Sequence, residues 1–381
     1  MISTVFNNTI GSPYDFAITR LTPQEEENIL SGLFEQLLIF DKITISTNRV
    51  SFPLIFLLDK LGINKVEELI ERGYIHFIIW TPVLVTGIGN RNEDGTNNES
   101  AMFGQPPLAA GSLSDEDFDP ENNIEKALTL FGFHRDRKRI FKRKASKNFI
   151  IPNGMEFSSD SANFVINAYK QNNLAELGLP YLVEPEQLNL QQRSLLLHLG
   201  SKLLETAVLS KYNFKSYENY EHYKICEHNL KNIGDALKVS TNTSQILTIE
   251  NIPNLKSLYL NEKLDFDKVI KIRHLSTAKY FRKWINQVSE NYNAQEITRE
   301  YINEIKGNSK FFESNSGKFI RNISLFGVNT ALGAAIAGPI GIAAGYGLGL
   351  LETYWLDSIL KGKNPSMFID KIREEVENTE D

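Results

Sequence analysis

The chain has 381 residues, of which 41% are hydrophobic and 23% charged. That is the balance of an ordinary globular protein of two or three domains. A net charge of −6 excludes a global attraction to nucleic acid or acidic lipid, so any such contact needs a local patch. The single cysteine, Cys226, excludes an internal disulfide and gives no sign of an oxidising compartment.

The opening MISTVFNNTIGSPYDF has strand-like pieces and no basic run followed by an apolar one, which predicts no signal peptide and a cytoplasmic protein. Thr22-Pro23-Gln24-Glu25 predicts a helix start. Thr22 caps, Pro23 suits the first helical position, and Glu25 reaches back to the cap amide. That helix runs to about Leu37, with Ile29, Leu33 and Leu37 on one face. DKITIST alternates as a strand. Two short helices follow, one opened by Ser51 and Pro53 and ended by Gly62, the other running from Asn64 to Gly73. YIHFIIW and PVLVTG read as buried strands. Strand, helices and strand in about 40 residues suggest a parallel crossover. Residues 1–90 are therefore predicted to be a small α/β module.

Residues 88–123 are rich in Asn, Gly, Pro, Ser and acids and predict a flexible polar loop or a domain boundary. Residues 124–310 predict a mainly helical body. Within it, SYENYEHYKICEHNLKNIGDAL reads as a helix and ILTIENIPNLKSLYL as a short buried segment turning at Pro253. A basic helical region opens at Asp265 or Asp267. Residues 311–381 predict a glycine-rich helical hairpin and a last helix, SMFIDKIREEVENTED.

The chemical motifs are mostly excluded. Gly87-Ile88-Gly89 starts like a dinucleotide-binding loop, but Asn92 stands where the third glycine belongs and no helix follows. Ser316-Gly317-Lys318 lacks the upstream glycine of a phosphate loop, and Phe319 replaces the magnesium-binding hydroxyl. Asp115, Asp117 and Asp119 have calcium-loop spacing, but Pro120 and Lys126 occupy positions that need glycine and a bidentate acid. His222, Cys226 and His228 are too few for a zinc site, and His198 among leucines reads as a core residue. No metal and no cofactor is expected. Asp41, at the start of a strand, is the one acid whose context fits an active-site carboxylate, although a turn role suits it better.

Two features carry binding hypotheses. Arg135, Arg137, Lys138, Arg139, Lys142, Arg143, Lys144 and Lys147 crowd a segment whose only acid is Asp136, with Phe133 and Phe141 interleaved. These suit phosphates and stacked bases. The other feature is Asn322–Leu351, thirty residues without a charge, in which Gly333, Ala337, Gly341, Gly345 and Gly349 recur at every fourth position. Such spacing lets helices approach closely. Its seven glycines and the Gly338-Pro339 break argue against a constitutive membrane span. Two helices, about 318–337 and 340–360, are expected instead.

The fold class expected is therefore α+β, predominantly α-helical: a small N-terminal α/β module, a helical body and a glycine-rich C-terminal hairpin. The leading functional expectation is a non-enzymatic bacterial effector or scaffold, in the manner of phage defence. Its hairpin mediates self-association, to a homo-oligomer, or conditional membrane contact. The alternatives are a nucleic-acid-binding module using 135–147 and an enzyme with a dispersed site near the N-terminal strands.

Overall fold

Apolar alternation and β-branched residues place the strands in this computed structural model. It describes residues 4–10, 21–47, 51–79, 84–86, 102–103, 108–111, 118–151, 163, 165–175, 178–189, 191–197, 199, 209, 212, 214–219, 244–253, 255–261, 264–288, 320–328 and 366–377. The described residues are mostly helical, around a small parallel sheet.

Strand β1 (Thr4–Asn7) leads through helix α1 (Pro23–Ile39) to β2 (Lys42–Thr47), then through α2 (Phe52–Glu71) to β3 (Ile75–Ile79). All three strands are parallel, with Val5 level with Ile43 and Ile43 level with Ile75. Helices α3 (Pro120–Thr129) and α4 (Arg135–Ala145) lead to β7 (Phe149–Ile150), which pairs in parallel with β3. Odd-numbered strand residues, Val5, Ile43, Ile45, Ile75, Phe77 and Ile79, face α1 and α2 in the main core. Phe6, Thr44 and Ile78 are buried on the opposite face. Burial on both faces is the mark of a parallel sheet covered on each side.

The remaining strands come from far along the chain. β8 (Lys215–Asn219) joins the free side of β1 in parallel, β10 (Ile320–Val328) runs antiparallel to β8, and β9 (Ser244–Pro253) closes the edge. The order is β7-β3-β2-β1-β8-β10-β9. The sheet thus draws strands from well beyond residue 90. Phe214, just before β8, stacks on Phe6 with centroids 6.1 Å apart. A second, three-stranded sheet pairs β4 (Leu84–Thr86), β6 (Leu108–Gly111) and β5 (Met102–Phe103). The polar stretch 88–123 therefore contains strands, because β6 pairs with β4 before it on one side and with β5 on the other.

Local signals explain the helices. Thr22 and Glu25 form the expected capping box. Glu25 N donates to Thr22 Oγ1 at 3.3 Å and Thr22 N donates to Glu25 Oε2 at 2.7 Å. The Thr22 amide, then the Thr22 hydroxyl at 2.8 Å, donates to the Glu25 carboxyl and holds it below its usual pKa. Gly62 breaks α2 with φ +74 and ψ 157, a conformation that glycine adopts without steric penalty. Asp265 caps helix α6 (Phe266–His274) by accepting from Lys268 N at 2.9 Å. Helices α5 (Leu255–Leu260), α6 and α7 (Ser276–Val288) pack on α1, and the last helix, α8 (Ser366–Glu377), packs on α6 and α7.

Three expected elements are corrected. Residues 320–328 form a strand, not the start of a helix running from about 318 to 337, because β8 and β9 supply ladder partners on both sides. Residues 216–219, expected as the start of a helix, belong to β8. Residues 244–253 are a full strand, and Pro253 ends it where α5 begins. Gly333, Ala337, Gly341, Gly345 and Gly349 lie outside the described residues. Among the described residues no helix is long and apolar enough to cross a membrane.

Candidate functional site

The chain runs outward from β1 to β2, β3 and β7, then returns to the other side of β1 through β8. The connections on the two sides of β1 thus leave in opposite directions. In open parallel sheets such a reversal opens a crevice at the carboxyl ends of the strands, where ligands bind.

The groups at that edge are amides and hydroxyls. Asn7 ends β1, is buried, and donates through Nδ2 to Gln36 Oε1 of α1 at 2.8 Å. Its Oδ1 accepts from Thr9 N at 3.0 Å and Thr9 Oγ1 at 2.9 Å, which fixes the chain leaving the strand. Thr47, at the end of β2, is also buried. Ser51 precedes α2 in a left-handed conformation, φ 53 and ψ 38, and is fully buried. Its hydroxyl does not cap α2. It donates instead to Oδ1 of the buried Asn123 on α3. A left-handed serine is unfavourable by about 1–3 kcal/mol and persists only where the surroundings hold it. The first amides of α2, at Phe52 and Leu54, therefore meet no capping side chain from Ser51.

The amino edge carries two buried arginines. Arg273 of α6 is 2% exposed. It donates through Nη1 to Leu37 O and, at 2.6 Å, to Phe40 O, and through Nη2 to Asp41 O. Its guanidinium lies 4.0 Å from the centre of the Tyr74 ring. Burial, then the neighbouring Arg282, brings its pKa down to about 9. Arg282 of α7 donates through Nε to Asp41 Oδ1 at 3.3 Å and through Nη2 to Arg273 O at 3.1 Å. Asp41 thus ties α6 and α7 to the turn at the amino end of the sheet.

Two histidines in this half of the molecule have lowered pKa values. His76 on β3 has a buried Nε2 without a hydrogen-bond partner. Burial, then Lys42, lowers its pKa, against a hydrogen bond with the Gly73 backbone. His274 bonds Arg72 Nη1 through Nε2 at 2.8 Å. Its pKa is lowered by desolvation, then by Arg72, Lys279 and Arg273. In both cases the unfolded chain takes up a proton more readily than the fold, so stability is complete above the unfolded pKa near 6.5 and falls as pH drops through it. Urea midpoints should decline steadily from pH 7.5 to 5.5, and His76→Phe should flatten the slope. An unchanged slope would assign the acid sensitivity elsewhere.

Helix α4 splits its basic residues into two rows. On the inner side Arg137 pairs with Glu67 and donates to Asn64 Oδ1 at 2.9 Å. Lys144 pairs with Glu67 at 2.8 Å and Glu71 at 3.0 Å, and Lys142 with Glu125 at 3.2 Å. Burial opposes the charge on Glu67, but hydrogen bonds from Lys144 and Arg137 outweigh it and hold its pKa below the usual value. Phe141 is fully buried and Phe133 stacks on Phe131 at 5.3 Å. Phe141 is therefore core, not a platform for bases. Lys138 is half-buried, while Arg135, Arg139, Arg143 and Lys147 point to solvent.

Asp119, one of the three acids with calcium-loop spacing, caps α3 by accepting from Glu121 N at 3.0 Å. Among the described residues no cluster of three or more potential metal ligands occurs. Gly87, Asp115, Asp117, His198, His222, Cys226, His228 and Lys318 lie outside the described residues. The sequence alone does not single out the carboxyl-edge groups, because serine, threonine and asparagine are common everywhere. Only the placement of Ser51 directly between a strand and a helix opening pointed to them. No protein-family model matches the chain, and neither the curated proteins nor the solved structures contain a match.

Proposed function

We propose that the protein is a non-enzymatic effector or scaffold whose α/β unit binds a small, oxygen-rich molecule at the carboxyl edge of the sheet. The observation that carries this reading is the reversal of strand order at β1, between β2 and β8. Ser51 supports it: a buried left-handed serine that leaves the start of α2 without a side-chain cap. The nearby Asn7, Thr9, Thr47 and Asn123 offer hydrogen-bonding groups with no charge of their own. In this reading the glycine-rich segment is the output, through self-association or conditional membrane contact by Gly333, Ala337, Gly341, Gly345 and Gly349.

The test is thermal unfolding against nucleoside phosphates, sugar phosphates, amino acids and dicarboxylates. A true ligand at about 100 times its Kd adds about 2.7 kcal/mol. That raises Tm by about 5–10 °C for a unit of this size. Thr9→Trp, at the exposed lip of the crevice, should abolish the shift. If no class moves the melt at millimolar concentration, the ligand-binding reading is wrong.

A further inference from the structure

We propose that the outer face of α4 is a sequence-independent docking surface for the phosphodiester backbone of a nucleic acid. The two rows of α4 are treated differently by the fold. Arg137, Lys142 and Lys144 are matched by Glu67, Glu71 and Glu125 on α2 and α3. Arg135, Arg139 and Arg143 follow one another at four-residue spacing on the exposed side, with Lys147 in the short turn after the helix. Among the described residues Arg139 reaches only Asp136, in an exposed pair of the same helix at 3.2 Å. No ion pair neutralises Arg135, Arg143 or Lys147 there.

Like charges four apart on a helix repel and weaken it. Nothing in the packing calls for them, since Phe141 and Ala145 alone dock α4 onto the core. An external polyanion answers the repulsion. Successive arginines rise by about 6 Å along the axis. The row of four therefore spans about 18 Å, long enough for several phosphates of one strand at about 3.4 Å of axis each. Arginine forks bind such oxygens two at a time. A lipid surface fits less well, because an interfacial helix needs an apolar side to sink into the headgroups and α4 has turned its own inward. On this helix the only exposed large apolar residue is Ile140.

The test uses the full chain and labelled 20-nucleotide single-stranded DNA, single-stranded RNA and duplex DNA in fluorescence anisotropy. Four contacts predict a log–log salt slope of about −3 to −4, so affinity falls about 50- to 150-fold from 50 to 200 mM salt. Arg139→Glu with Arg143→Glu should weaken binding at 50 mM salt by at least about tenfold. Lys271→Glu with Lys283→Glu, the same charge change on exposed residues of α6 and α7, should leave it nearly unchanged. Unaltered far-ultraviolet circular dichroism establishes that both variants fold. The proposal is overturned if no nucleic acid binds at about 100 µM protein, or if the control pair weakens binding equally. It is also overturned if phosphatidylserine vesicles, and not nucleic acid, sediment the wild-type protein.

Discussion

Arg273→Met should lower the unfolding free energy by about 3–5 kcal/mol, the range for removing one member of a buried polar network. The reason lies in the acceptors and not in the charge. Burial already disfavours the guanidinium, which is why its pKa falls to about 9. Its value is its fork of donors. Leu37 O and Phe40 O lie at the end of α1, where carbonyls have no partner within the helix. Asp41 O opens the turn into β2. Methionine fills the volume but leaves these carbonyls unsatisfied, at about 1–3 kcal/mol each. Arg273→Lys should recover less than half the loss, because one ammonium cannot reach three carbonyls in two directions. A combined Arg273→Met and Arg282→Met change should cost less than the sum of the two, since Arg282 donates to the Arg273 carbonyl and both serve Asp41. A loss below about 1 kcal/mol in urea titration would mean that water reaches those carbonyls and that the network is not structural.

Phe34→Ala should cost a similar amount, about 3–5 kcal/mol, as expected for emptying a fully enclosed aromatic site. Phe34 is fully buried on α1. Its ring meets Tyr259 of α5 at 5.3 Å and stands edge-on to Phe266 of α6 at 6.1 Å. Tyr259 and Phe266 also meet each other, at 5.5 Å. The three rings join the N-terminal helix to helices more than 200 positions further on. The cavity should therefore loosen one side of the molecule more than the other. Hydrogen exchange should quicken in residues 255–288 before it quickens in β2 and β3. Equal acceleration in both would show that the two sides unfold as one unit.

Short-range chemistry was legible in the residues. The Thr22–Glu25 box, the Gly62 break, the Asp265 cap and the parallel crossover from β2 to β3 all rest on signals within a short stretch of chain or on simple alternation. Long-range pairing was not. Residues 320–328 show no clean alternation, small residues at four-residue spacing just beyond them suggested a helix, and only the ladders with β8 and β9 decide for a strand. The basic segment shows its charge in the sequence, but its division into paired and unpaired rows depends on Glu67 and Glu71, about 70 positions earlier. Asp41 looked like a candidate carboxylate because its partner, Arg282, is 241 positions away. The carboxyl-edge groups emerge only once the sheet order is known, because the crevice is a property of topology.

The position of β1 has a consequence for synthesis. β1, β2 and β3 can assemble once Ile79 has left the ribosome, and β7 covers one side of that sheet 71 residues later. The other side of β1 waits for β8, which ends at Asn219. At about 5–20 residues per second the interval from Ile79 to Asn219 lasts about 7–28 s. Throughout it a strand edge with unpaired amides and carbonyls stands open, the kind of edge on which chains stick to one another. Nascent chains of this protein should therefore depend on chaperones most strongly between those two lengths.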